Sequence, residues 1–597
     1  MLRKAVFLGT SLLLVGCPLA TFRVEDGPAA AGAGGSGTAG AGSGGFGTGA
    51  LGGGFAGQIN ASDPRVIDDV YFIFQGEELD LGAQDGPLSN DAPEGLFVVS
   101  RSDVNAARPA DFDADFELTR EGAFRFRPQP EFFGAYPIEY AVQNANGARA
   151  FAKIVVQVVP LEISLDTVVS GLGGYVLYGP PNGRLGAALD RGFDLNADER
   201  QDLIVGAPGA AGGDGAVFLV FGSETPVSFD LSLTASDDEA SRYFTLTAGK
   251  GDELGVAVAG LDDVDADGKP DFAVASAAGS GRVHVVRGSA LSRDMRLPSP
   301  ASFSFEGDAS NVEVGRLLRR VGDVDGDGIH ELFVSASNAD FGWGHLLRVG
   351  GMQSGSSPIT SAPGFHVQAA QVSDGFPLDA APVGDMDGDK KKELLAASEQ
   401  DVALLRGAIS LPSSIAALGV DGSRGGYRLR RTRAGTASVA GVSDVNADGQ
   451  VDLAYCEAAS VCRVVFGPPV TLATGWEISG FARGTRQVLL AGDGGRLNPE
   501  KALAQDGDLD GDKIGDVVVA DPTTVYVVRG RRSGFEPVDL QAFSDGYRIR
   551  AASDGRVTAV VLIGDVNGDK RPDLAIADET ADDGAGRVYV LFSVPGG

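Results

Sequence analysis

The chain has 597 residues, room for two or more domains, and its 43% hydrophobic content supplies a core, which excludes wholesale disorder despite 87 glycines. A formal net charge of −32 excludes nucleic acid as a partner, because a phosphate backbone would be repelled. Aromatics are only 7%, so the core should be built mainly from Val, Leu and Ala.

The N-terminus reads MLRKAVFLGTSLLLVGCPLA. Arg3 and Lys4 make a basic start, and the apolar run from Ala5 to Gly16 is too short to span a bilayer as a helix. Leu14-Val15-Gly16-Cys17 resembles the signal box of bacterial lipoproteins. That resemblance implies that residues 1–16 are a signal peptide, that Cys17 carries the lipid, and that the anchor is the chain's only membrane contact. Pro18, where an Asp would favour inner-membrane retention, points to the outer membrane or cell surface. The alternative is an ordinary secretory signal with an incidental Cys.

Residues 17–61 form a Gly/Ala/Ser-rich tether, expected to be flexible. Its Gly32, Gly34 and Gly37 spell GxGxxG, but no strand precedes them and no helix follows, so they carry no nucleotide site. From 62 to 160 short alternating segments (DDVYFIF, GAFRFRP, AFAKIVVQVV) lie between turn residues, the pattern of a β-sandwich. DDVYFIFQGEELDL, GPLSND, GAFRFRPQPEFFGAYPIEYAVQNANG and AKIVVQVV together resemble the cadherin-like, Ig-like repeats of bacterial surface proteins. The resemblance implies a stalk or adhesive module.

Beyond residue 161 one acidic loop recurs seven times, its first Asp advancing by 69, 60, 62, 59, 64 and 57 residues. Numbering each loop 1 to 9 from that Asp, positions 1, 3, 5 and 9 are the candidate metal ligands. They are Asp194, Asn196, Asp198 and Asp202; Asp263, Asp265, Asp267 and Asp271; Asp323, Asp325, Asp327 and Glu331; and Asp385, Asp387, Asp389 and Glu393. Then come Asp444, Asn446, Asp448 and Asp452; Asp508, Asp510, Asp512 and Asp516; and Asp565, Asn567, Asp569 and Asp573. Oxygens at this spacing in a tight loop converge on one point, and a backbone carbonyl near position 7 adds another. This is the donor set of Ca²⁺, which takes six to eight oxygens. Mg²⁺ demands a stricter octahedron, and zinc has no Cys/His cluster to use. The expectation is up to seven Ca²⁺, with position 6 favouring a left-handed bend where it is Gly268, Gly328 or Gly449, and the loop at Asp194 the weakest.

The flanks of each loop repeat as apolar runs of four to eight residues, about four strands per repeat, which is a seven-bladed β-propeller. The phase predicts its closure. The strand near 175–178 precedes the first full blade, and the final run GRVYVLF lacks a fourth strand, so the former should complete the last blade. GRLGAALDRGFDLNADERQDLIVGAP followed by GAVFLVFGS resembles the FG-GAP repeat of integrin alpha propellers and their bacterial relatives, over residues 161–597. The resemblance implies Ca²⁺ on one face of the disc and ligands at the other. The fold class is therefore all-β: a seven-bladed propeller preceded by a β-sandwich.

Cys456 and Cys462 flank a short bend between two strand-like runs, where facing strands bring them within disulfide distance; two buried thiols are the alternative. His284, His330, His345 and His366 fall on successive repeats with no convergent catalytic set, so the chain reads as a non-enzyme. The leading function is a calcium-stabilised, lipid-anchored surface protein, acting as a monomer, that binds a protein or polysaccharide. The alternatives are an envelope hydrolase or lyase acting on polysaccharide or lipid head groups, and a plain spacer. The Arg-rich stretch 423–435 is either an anion-attracting patch or a charged edge strand that blocks sheet-to-sheet pairing.

Overall fold

The apolar runs of the repeats are buried along their whole length rather than at alternate residues: Ala216–Val220 and Phe272–Ser276 are covered at every position. A strand reads this way when its sheet is packed on both faces. The computed structural model describes residues 5–6 and, with interruptions, 64–593. The larger interruptions are 104–114, 234–241, 369–375, 408–413, 419–425, 431–437, 468–486 and 492–502; Cys17, the tether, Asp387, Asp510 and Asp512 also lie outside the described residues. The chain divides into two compact units, Met1–Val159 and Pro160–Gly597.

In the first unit, Asp69–Phe74, Arg149–Val159, Gly134–Gln143 and Phe97–Asp103 lie side by side in that order, with Ala5–Val6 paired at the outer edge of Asp69–Phe74. Leu79–Leu81, Phe124–Arg127 and Asp115–Leu118 form a second sheet. Alternation holds where one face is solvated: Phe124–Arg127 is buried, exposed, buried, exposed. The inward residues, among them Tyr71, Phe124, Phe126, Tyr136 and Val156, make one aromatic-rich core.

Among the described residues the second unit has seven sheets, each with four antiparallel strands. Their innermost strands are Ala188–Phe193, Leu254–Gly260, Leu318–Gly322, Asp379–Val383, Val439–Val442, Leu503–Ala504 and Ala559–Gly564, which begin blades 1 to 7. Each touches the next, and the last touches the first, so the ring is closed. At Gly206, which opens the Gly-Ala-Pro triplet of blade 1, an added Cβ would sit 2.1 Å from the carbonyl oxygen of Gly255 in blade 2. Close approach of blades explains that glycine.

Closure follows the predicted phase. Gly174–Tyr178 pairs antiparallel with Arg587–Leu591, placing Tyr175 opposite Val590 as the fourth strand of blade 7. One feature goes beyond the sequence expectation. Before reaching blade 7 the chain lays Glu162–Ser164 parallel to the outer strand of blade 6, where Glu162 meets the guanidinium of Arg550 at 2.5 Å. The entering segment thus laces two blades. Leu177 is fully buried in a core that blades 7 and 1 share with Val588, Val590 and Val205. Leu177→Ala is expected to cost about 2–5 kcal/mol in denaturant unfolding. Phe151→Ala, at a side chain 77% exposed, should change stability by no more than about 0.5 kcal/mol.

Candidate metal centres

Each acidic loop joins the innermost strand of its blade to the second, so all seven turns lie on the same side of the ring. Neighbouring loops are stitched through the backbone: Gln201 N–H donates to the Asp565 carbonyl at 2.8 Å, Lys392 to Asp323 at 2.9 Å and Gly515 to Asp444 at 3.0 Å. The first of these joins blade 1 to blade 7.

Within a loop the carboxylates are held by the loop's own N–H groups. Asp323 accepts from Gly326, Asp327 and Gly328 at 2.6, 3.1 and 3.0 Å; Asp385 and Asp565 repeat the pattern, and Asp263 and Asp444, with Ala at position 4, accept from positions 5 and 6. The position-5 carboxylate accepts from position 7, as Asp448 does from Gln450 at 2.9 Å. The position-9 side chain accepts from position 2 and from the end of the third strand: Asp202 takes Leu195 at 2.7 Å and Gly222 at 2.9 Å. Asp271, Asp452, Asp516 and Asp573 do the same.

Two loops bring three carboxylates together with ligand oxygens within 4.8 Å of one another: Asp263, Asp265 and Asp271, and Asp323, Asp325 and Glu331. Asp267 and Asp327 lie outside these triplets. The loops with Asn at position 3 form no such acidic triplet among the described residues. There the amide donates to the position-5 carboxylate, Asn196 to Asp198 at 3.0 Å, Asn446 to Asp448 at 3.1 Å and Asn567 to Asp569 at 3.2 Å. In the loops at Asp385 and Asp508, one and two ligand positions fall outside the described residues.

The two converged loops fit a hard cation by a second criterion. Asp265 Oδ1 and Glu331 Oε1 are buried oxygens with no hydrogen-bond partner. Burial, then repulsion from loop acids, holds position-9 carboxyls up against the backbone donors: about 7 for Asp202 and Asp452, about 6 for Asp271, and about 8 for Glu331 and Asp573.

Sequence reasoning missed a backbone requirement. Position 4 is left-handed as well as position 6: Ala197, Ala266 and Ala447 have φ of 62°, 62° and 57°. The signal was present, since position 4 is Ala or Gly in every loop. At position 6, Glu199, Lys390 and Lys570 adopt the left-handed bend without glycine, at φ of 69°, 70° and 70°. Cys456 and Cys462 face each other across adjacent strands and are disulfide-bonded. The histidines form no site with these acids: His284 meets Ser304, His345 meets His366, and His330 pairs with Asp262. Of the stretch 423–435, Gly426–Arg430 is the outer strand of blade 4, and Arg428 is paired with buried Asp401 at 2.7 Å.

Residues 508–576 match the FG-GAP-like repeat family. The chain is 33% identical over 195 residues to a phosphatidylinositol-glycan-specific phospholipase D of Rattus norvegicus, covering 30% of this chain and 22% of that protein. It is 41% identical over 93 residues to integrin alpha pat-2 of Caenorhabditis briggsae, covering 15% of this chain and 7% of the integrin. The chain thus spans about a fifth or less of the length of these relatives. Among solved structures, the Vibrio cholerae biofilm matrix protein Bap1 aligns over 72% of this chain and 90% of that one, with 12% identity and a TM-score of 0.27.

Position-9 acids whose folded pKa exceeds the unfolded value of about 4 weaken the metal-free fold when charged. As the pH falls below the folded values that stability begins to return, and the return is complete only near the unfolded value. In chelator, the unfolding midpoint should therefore rise as pH falls from about 8.5 to about 6.5, and Asp573→Asn should flatten the rise, as read by thermal melting.

Proposed function

We propose that this protein is a calcium-stabilised binding or adhesion protein, whose propeller carries divalent ions on one face and presents its other loops to a protein or polysaccharide. The observation that carries the reading is the pair of converged loops at Asp263 and Asp323, each with a buried carboxylate oxygen lacking a protein partner. Asp263, Asp265 and Asp271, and Asp323, Asp325 and Glu331, would hold the ion. The remaining loops would offer the same positions, with an amide oxygen at position 3 in three of them. Bound calcium would supply charge neutralisation, not chemistry on a substrate. Carboxylates already fixed by loop N–H groups would lose little freedom on binding, so the ion's attraction would go into stabilising the disc.

The similarity to an integrin alpha chain supports a binding role, as does the FG-GAP-like repeat. Binding rather than catalysis is favoured because the regular acids are committed to backbone donors and the histidines to strand neighbours. The N-terminal sequence supports export and lipid attachment at Cys17, with residues 17–61 giving reach from the membrane and the sandwich acting as a stalk.

Calcium should raise the melting temperature of the full chain and EDTA should lower it, with dissociation constants on the order of 10⁻⁴–10⁻³ M. Retention on envelope polysaccharide or protein should fall in EDTA and return with calcium. Identical melting curves in calcium and EDTA would remove the metal from this reading. Turnover of a polysaccharide or lipid head group, abolished by one acid-to-amide change, would replace binding with catalysis.

A further inference from the structure

The residue directly after the third strand is Phe221, Arg287, Arg348, Arg406, Phe466, Arg529 and Phe592 in blades 1 to 7. It is Arg in the four blades whose loop has Asp at position 3 and Phe in the three whose loop has Asn there. Summing the formal charges at positions 1, 3, 5 and 9 with this residue gives −3 in every blade.

The structure explains the pairing. Arg287 Nε lies 3.1 Å from Asp265 Oδ2, and the Arg348 guanidinium forms an ion pair with Asp325, whose side chain is 1% exposed. In four blades an aromatic ring of the fourth strand lies beside this slot, next to Arg in two and next to Phe in two. Arg348 lies 4.8 Å over Phe365 and Arg406 lies 5.3 Å over Tyr427, while Phe221 meets Phe244 at 5.0 Å and Phe592 meets Tyr175 at 6.2 Å. A guanidinium packs over the same ring that a phenyl meets edge-on or tilted, and it adds a charge aimed at the loop.

We propose that Arg287 and Arg348 set the affinity of their cation sites: each is a resident counter-charge on the position-3 carboxylate, so that a divalent ion meets there the same net charge as in the blades with Phe and Asn. The proposal rests on the calcium reading above. Arg and Asp together stand in for the neutral Phe and Asn pair. Removing the arginine alone leaves a buried carboxylate without its guanidinium, which weakens the metal-free fold and strengthens the pull on a divalent ion. One added unit of negative charge beside a doubly charged ion should tighten binding on the order of tenfold.

The test uses the full chain with Arg348→Phe, Asp325→Asn and the double variant. Melting in EDTA reports the metal-free fold, and calcium titration followed by hydrogen exchange over residues 323–331 reports the blade 3 site. Arg348→Phe should melt lower than wild type in EDTA and bind calcium about tenfold more tightly at that loop. The double variant, which recreates the pairing of blades 1, 5 and 7, should return both quantities toward wild type. Should Arg348→Phe fold only in calcium, Arg348→Lys serves in its place: keeping the charge, it should leave calcium affinity near that of wild type, and tight binding by it would overturn the proposal. Equal melting of Arg348→Phe and the double variant in EDTA would likewise overturn it. Absence of calcium-dependent protection over 323–331 in wild type would instead sink the calcium reading, while the EDTA cycle still decides whether the pair is coupled.

Discussion

The second unit depends on one buried carboxylate per blade, used twice wherever it is an aspartate. At the start or edge of the second strand, Asp202 takes the N–H of Leu195 from its own loop with one oxygen and the N–H of Gly222 with the other. Those donors belong to the loop and to the end of the third strand, so one side chain ties three pieces of the blade together. A hydrogen bond to a charged acceptor is among the stronger polar contacts in a protein, and here two converge on one group. The cost is a carboxylate buried beside other acids, which is why burial raises its pKa despite two donors. The disc is thus built around a charge conflict that either a proton or a cation relieves.

That conflict repeats at a fixed place in each blade, and the ring makes the repeats communicate. A backbone bond from Gln201 to Asp565 crosses from the first blade to the last, and the fourth strand of that last blade comes from residues 174–178. In an open solenoid the terminal repeats would each lose a neighbour. Here the entering chain supplies Glu162–Ser164 to blade 6 and then Gly174–Tyr178 to blade 7, so neither end of the repeat is exposed. Closure brings residues about four hundred positions apart into register, which makes the ring slow to assemble relative to its local hairpins.

The blade count and the closing strand were legible because both follow from the phase of a repeat, and phase survives where individual motifs decay. The loops were legible as a set for the same reason. What escaped was anything that depends on a neighbour rather than on the repeat itself. Position 4 is Ala or Gly in every loop, but small residues have many uses, and the left-handed bend at Ala197, Ala266 and Ala447 is apparent only in the folded loop. Continuous apolar runs gave the strands, but not the second covering layer that makes them continuous. In the first unit, alternation identified strands such as Phe124–Arg127, whereas the parallel pairing of Asp69 with Ile154 lies between segments far apart in the chain and leaves no mark on either one.

The Arg-or-Phe position shows how such a hidden dependence can be recovered. Taken alone, Arg287 is one cation on an acidic protein and Phe221 is one core aromatic; neither announces a role. Their meaning lies in what stands at position 3 of the loop they face: Arg287 meets the Asp265 carboxylate, whereas Phe221 follows a loop with Asn there and packs on Phe244. On the calcium proposal, a repeat protein whose blades diverge is best served by loops of equal charge, because the most acidic blade would be the first to open without metal. Compensation within a blade satisfies that requirement without any two blades being alike. It also locates divergence: position 3 and the third-strand end can drift together, while positions 1, 5 and 9, which hold backbone donors as well as charge, stay acidic in every loop.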